Sequence, residues 1–178
     1  MNKAAFYIIC AVTAVATATL GQNEQYKIGR PATAEEIREL DISVAPDASG
    51  LPKGSGTVSQ GQHIYQTLCA NCHGDRGQGM LQYPALAGGQ GTLKSDSPVR
   101  TVGSYWPYAT TVWDYIHRTM PYARPGTLTP NQTYAVTAFV LYLNGILDKD
   151  AQLDEATLPH VKMPNRNGFV RDPRPDVK

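Results

Sequence analysis

Apolar positions along the chain fall into helical stripes separated by turn-rich stretches. Gly61, Ile64, Tyr65, Leu68, Cys69 and Cys72 recur at i, i+3, i+4, i+7, i+8 and i+11, the spacing of one face of an α-helix that starts near Ser59. Gly61 on that face allows another helix to approach closely, or else marks a frayed first turn. A second helix is predicted from about residue 111 to 120. Thr111 followed by Asp114 has capping-box form, Trp113, Ile116 and Met120 share one side, and Pro121 cannot continue the helix. A third carries the fullest set of signals: Thr129 as N-cap, Pro130 in the first helical position, Gln132 at the reciprocal position of the box, and Asn144-Gly145 as a stop. Ala135, Ala138, Phe139, Tyr142 and Ile146 form its stripe, which makes it a packing partner for the first helix. Strand signals are negligible, so the patterns predict an all-α domain.

Both flanks of this core lack its periodicity. Residues 22–58 are rich in Pro, Gly, Ser and charge, with one short helix predicted where the capping-box form Thr33-Ala34-Glu35-Glu36 precedes Ile37 and Leu40. Residues 46–56 show no periodicity and read either as a flexible linker or as an arm laid over a surface, composition favouring the linker. After Leu147 the pattern is lost again, and Pro159, Pro164, Pro173 and Pro175 mark an extended tail. At the start, Lys3 precedes an apolar run from Ala4 to Ala18 that is too short to span a bilayer and ends in Ala16-Thr17-Ala18. This is the form of a secretory signal peptide cut after Ala18, and Cys10 leaves with it. The expected organisation is a signal peptide (1–18), an N-terminal extension (19–58), a core domain (59–147) and a C-terminal extension (148–178).

Composition adds two points. With 42% hydrophobic residues in 178, the chain can bury a core. Loss of Lys3 takes the 16 basic residues to 15, which equals the 15 acidic ones; a formally neutral mature chain has no electrostatic footprint for nucleic acid or a membrane surface.

The chemistry concentrates in Cys69-Ala70-Asn71-Cys72-His73, a C-x-x-C-H motif. Two thiols at this spacing add across the two vinyl groups of a porphyrin, and the next residue supplies an imidazole to iron; on a helix all three address one ring, giving one covalent haem c. A redox dithiol would need a βαβ context and a structural zinc four ligands, whereas no cysteine lies downstream and His63, His117 and His160 are scattered singly. An exported chain with this motif fits the periplasm. His73 needs a carbonyl acceptor for its second ring N–H, and Pro84 offers one, unless it serves only as a turn former. In Tyr105-Trp106-Pro107-Tyr108, Tyr105 and Trp106 can wall the pocket and reach the haem propionates, or simply pack the core; Arg100 is a partner for a propionate by charge or a solvated arginine. Met120 at a helix end before Pro121 is the expected sixth ligand, ahead of Met80 on a turn close behind His73 and Met163 in the tail.

From Gly61 to Leu147 the sequence resembles a class I cytochrome c: a helix ending in Cys-Ala-Asn-Cys-His, then Pro84-Ala85-Leu86-Ala87-Gly88, then Met120-Pro121 before a last helix. The segments Gly29-Arg30-Pro31-Ala32-Thr33, Leu86-Ala87-Gly88-Gly89-Gln90-Gly91-Thr92-Leu93, Gly103-Ser104-Tyr105-Trp106-Pro107-Tyr108-Ala109 and Met163-Pro164-Asn165-Arg166-Asn167-Gly168-Phe169 are similar to the cytochrome subunit of Sox-type sulfane dehydrogenases and related sulfite dehydrogenases. The resemblance implies a class I cytochrome c fold with extended N- and C-terminal arms. It also implies a molybdenum-cofactor partner of sulfite-oxidase-like fold that oxidises an inorganic sulfur species, and a downstream cytochrome c or oxidase as electron acceptor. Some members carry a second haem-binding domain, while this sequence holds one C-x-x-C-H motif, which keeps a monohaem sulfite dehydrogenase subunit beside the Sox assignment. The arms are expected to bind the partner through Ile37, Leu40, Leu51, Leu158, Met163 and Phe169; folding back on their own domain is the alternative. The competing functions are a free-standing electron shuttle and a catalytic haem protein with an open distal site, which the sixth ligand distinguishes.

Overall fold

The computed structural model describes residues 29–174, so the expected signal peptide and Cys10 lie outside the described residues. The described residues divide into two compact units, 29–40 and 41–174. In the first, helix α1 (Ala34–Leu40) forms where the capping box predicts it. The Glu36 N–H donates to Thr33 Oγ1 at 3.2 Å, and the Thr33 N–H donates to Glu36 Oε2 at 2.8 Å. Arg30 clasps the same carboxylate with two N–H groups, at 2.8 and 2.5 Å. That guanidinium, followed by the Thr33 N–H, holds the Glu36 carboxyl down at about 2.

The second unit is built from strand β1 (Ser55–Thr57), helices α2 (Val58–Leu68), α3 (Ala70–His73), α4 (Ala109–Thr119) and α5 (Pro130–Leu143), and strand β2 (Gln152–Asp154). Helix α5 is the centre. Its Thr129/Gln132 capping box and Pro130 are in place, and every residue from Thr133 to Leu141 is buried. A helix covered all round is packed on more than one side. Helix α2 crosses it closely, because Gly61 has no side chain: a Cβ there would collide with the Ala135 carbonyl and press on Phe139. Helix α2 starts from a capping box, Thr57/Gln60, which the stripe alone did not reveal.

Three parts of the structure differ from what the sequence predicts. The predicted box at Thr111 and Asp114 does not form; α4 begins earlier, behind Tyr108, which makes no side-chain cap. Asp114 is instead buried and used across the fold: it accepts the Val44 N–H at 2.8 Å and the Arg118 Nε–H and Nη2–H at 2.8 and 2.5 Å. Residues 46–56 are an arm laid on the domain rather than a linker. Val44 is buried, Thr110 Oγ1 donates to the Pro46 carbonyl at 3.2 Å, and Tyr134 donates its hydroxyl proton to the Pro52 carbonyl at 2.8 Å. The C-terminal segment, expected to bind a partner, packs on its own domain. Strand β2 pairs antiparallel with β1, with Gly56 opposite Leu153, and Leu153, Leu158 and Met163 are buried in the core. Strands of three residues are too short to give a period of two, so the sequence showed no strand signal.

Asp114 gives the second unit a pH-dependent tie. Burial pushes its carboxyl upward, but the Arg118 guanidinium and the Val44 N–H outweigh this and hold it below its ordinary value. The stabilisation is therefore complete above the unfolded-state value near 4 and is lost as pH falls through the lower folded-state value. Asp114→Asn is expected to cost roughly 2 kcal/mol at neutral pH, and the gap from wild type should shrink as acid protonates the native carboxylate. Thermal denaturation of both proteins from pH 7 down to pH 2 checks this; a gap that stays constant across the range would refute it.

Candidate functional site

A cavity of about 360 Å³ opens between α2, α4 and α5. Helix α2 contributes Tyr65 and Leu68 to its walls, α4 contributes Val112, Tyr115 and Ile116, and α5 contributes Val136 and Val140. Cys69, Cys72 and His73 line it where the chain passes from α2 through α3, and Met120 lines it at the C-cap of α4. The volume falls in the range of small-molecule sites, and the mostly apolar walls suit a large, flat, hydrophobic ring.

The proximal side is fixed by hydrogen bonds. His73 Nδ1 lies 2.9 Å from the Pro84 carbonyl oxygen. A carbonyl only accepts, so Nδ1 carries the proton and Nε2 keeps a free lone pair, the form a metal ligand needs. Tyr65 donates its hydroxyl proton to the Gly74 carbonyl at 2.9 Å, tying α2 to the turn behind His73, while its ring packs against Phe139 at 5.2 Å. Gly74 ends α3 with φ of 77°, the left-handed region that frees the chain to leave the helix. Burial pushes the Cys69 thiol up to about 11, with the neighbouring Cys72 adding to the shift. A thioredoxin-like pair has a thiol lowered toward neutrality, so this environment does not favour a redox dithiol. Among the described residues no group of three or more His, Cys, Asp and Glu side chains is placed to hold a metal ion. The residues present fit a covalently attached haem: two thiols and an imidazole on one wall, a thioether on another, and apolar side chains between.

Of the residues expected from the sequence, Cys69, Cys72, His73, Pro84, Trp106, Met120 and Arg100 all line the cavity. Tyr105 does not: its ring packs edge-on against Phe169 at 5.2 Å, and the Arg100 guanidinium sits 5.6 Å from the ring centroid on the way to the cavity. Tyr105 therefore packs beside Arg100 and is not in the cavity wall. Trp106 packs edge-on against Tyr115 at 5.6 Å, two aromatic walls meeting. The C-terminal segment braces this loop. Asn165 Nδ2 donates to the Tyr105 carbonyl at 2.7 Å, and the Arg166 guanidinium lies 4.1 Å from the Tyr108 ring centroid. His63, His117 and His160 are not in the cavity walls, and His117 stacks on Trp113 at 4.7 Å.

Several contributors were not legible in the sequence. Tyr83 and Tyr122 line the cavity from loops with no periodicity. Thr101, which the sequence left in a featureless loop, lines it and is braced by Ser104: the Thr101 N–H donates to Ser104 Oγ at 2.8 Å, and Ser104 Oγ donates to the Val99 carbonyl at 2.7 Å. Asn144, read only as a helix stop, donates through Nδ2 to the Leu86 carbonyl at 3.0 Å and so holds the proximal loop to α5. Tyr65 carried a signal, since it stands four residues before Cys69 on the same stripe.

The comparisons with known proteins agree with this geometry. The family profile described as Cytochrome c matches residues 58–144. A chain in the crystal structure of the sulfane dehydrogenase SoxCD from Paracoccus pantotrophus is 47% identical, with a TM-score of 0.77; the match covers 83% of this chain and 73% of that one. No helix among the described residues is long and apolar enough to cross a membrane.

Proposed function

The chain belongs to the cytochrome c family, whose members hold a covalent haem c and transfer electrons, and from that premise we propose that it is the periplasmic monohaem subunit of a molybdenum-dependent sulfite or sulfane dehydrogenase. When bound, the haem would supply a one-electron couple, and a methionine thioether among its ligands would raise the potential. In this reading Cys69 and Cys72 would hold the haem through thioethers, and His73 and Met120 would hold its iron. Trp106 would wall the ring, and Arg100 would offer a charge to its carboxylates. Pro84 fixes the tautomer of His73 through the 2.9 Å bond to its carbonyl. The polypeptide makes and breaks no substrate bond; it holds the ring, excludes water with apolar walls and keeps the proximal imidazole oriented.

The observation that carries the assignment is 47% identity to a chain of a sulfane dehydrogenase, extending across 83% of this sequence and not only its haem-binding core. The dehydrogenase subunit would deliver electrons one at a time, and a downstream cytochrome c or oxidase would remove them. Purification of the protein from its native source, with molybdenum and iron measured across the eluted peak, tests the proposal. Molybdenum and iron should elute together. A haem-loaded protein that elutes free of molybdenum at every ionic strength would instead be the free-standing electron shuttle.

A further inference from the structure

Leu81 is 97% exposed and has a backbone φ of +48°, in the left-handed region that leucine avoids and that glycine or asparagine takes more easily. Neither burial nor local propensity explains a leucine there, and residues that break local rules are concentrated where function requires them. Leu81 sits at the tip of a narrow turn: the Met80 N–H donates to the Tyr83 carbonyl at 3.2 Å, and the Tyr83 N–H to the Met80 carbonyl at 2.8 Å. The turn is tied to His73 at both ends. The Gly79 N–H donates to the His73 carbonyl at 2.8 Å, and His73 Nδ1–H donates to the Pro84 carbonyl at 2.9 Å. It is a fixed apolar projection one hydrogen bond from the proximal imidazole.

Its surroundings continue the same character. Met80 and Tyr83 are partly exposed beside Leu81, and Tyr83 also lines the cavity. On another lip of the cavity, just past Met120 and Pro121, Tyr122 is 83% exposed and lines it as well. Residues 77–93 contain no charged side chain. Depletion of charge with exposed aromatic and aliphatic side chains marks the centre of a protein–protein contact.

We propose that the Met80–Tyr83 turn, with Leu81 as its anchor and Tyr122 beside the cavity mouth, is the surface on which the molybdenum-bearing dehydrogenase subunit docks. This rests on the function proposed above. A redox donor has to approach the haem, and this is an apolar surface joined directly to the residue on its proximal side. A chain with nearly balanced charge has little long-range steering, so a partner is held by shape and apolar contact. The solved relative is itself a chain of a dehydrogenase.

The test uses the full-length haem-loaded protein titrated against the molybdenum subunit, with affinity measured by calorimetry and haem reduction followed by stopped flow. Leu81→Asn removes the anchor while keeping a residue that tolerates the left-handed backbone. It should bind roughly tenfold more weakly and be reduced more slowly at subsaturating partner, with visible spectrum and reduction potential unchanged, while Leu81→Met should restore binding. If wild type and Leu81→Asn bind and are reduced alike, the docking surface is elsewhere and the proposed function stands. A change only in self-association would assign the turn to a second copy of the chain, and a change only in onward oxidation would assign it to the acceptor; either overturns the proposal. A wild-type protein that does not bind the molybdenum subunit at all overturns the proposed function and this inference together.

Discussion

The double variant Cys69→Ala with Cys72→Ala is expected to show no cooperative thermal unfolding. The cavity of about 360 Å³ sits between the three longer helices, so without its ring the apolar walls of α2, α4 and α5 lose the surface they face. At about 24 cal/mol per Å³ an unfilled cavity of that size would cost roughly 9 kcal/mol, an upper figure because the mouth opens to water. A domain of this size has only about 5–15 kcal/mol in all. The ring is therefore a large part of the core, and binding it is coupled to folding. Calorimetry of the variant exported under the same conditions as wild type should show a broad, weak transition. A sharp transition with a normal enthalpy would mean that the helices suffice without it.

Met120→Leu is expected to abolish the weak far-red band of sulfur-to-iron charge transfer and to lower the reduction potential, since the thioether is what raises it. Met163→Leu should leave both untouched. The two methionines are placed very differently: Met120 lines the cavity at the end of α4, whereas Met163 is only 3% exposed, packed in the core, and not in the cavity walls. A leucine at 163 nearly conserves volume and should cost less than about 1.5 kcal/mol. Met80 does not line the cavity either. Optical spectra of the oxidised proteins with redox titration decide the matter, and loss of the band in the Met163 variant alone would reverse the assignment.

The cavity wall around Cys69, Cys72 and His73 was legible because its signals are local. The C-x-x-C-H motif, the stripe that carries it and the Thr129/Gln132 box each lie within a few residues, and helices α2 and α5 appear where these place them. Gly61 carried two readings in the sequence, close approach or a frayed first turn, and only the crossing of α2 over α5, with the Ala135 carbonyl where a Cβ would stand, decides for the first. Long-range pairings were not legible. Asp114 looks like a helix cap in the sequence, and only the fold shows that its partner is Val44, seventy residues away. Residues 152–163 read as a tail because Leu153, Leu158 and Met163 follow neither helical nor strand spacing, yet all three are buried in the core. Tyr105 looked like a pocket wall by its neighbour Trp106; adjacent residues on an irregular loop point in different directions, and Tyr105 turned toward Phe169.

Covalent attachment of haem through Cys69 and Cys72 is tested most directly by mass spectrometry of the purified native protein under denaturing conditions. The polypeptide should retain the added mass of one haem after unfolding and keep the two thiols blocked to alkylation. A bare polypeptide mass with two alkylatable cysteines in the fully loaded, coloured protein would contradict the account.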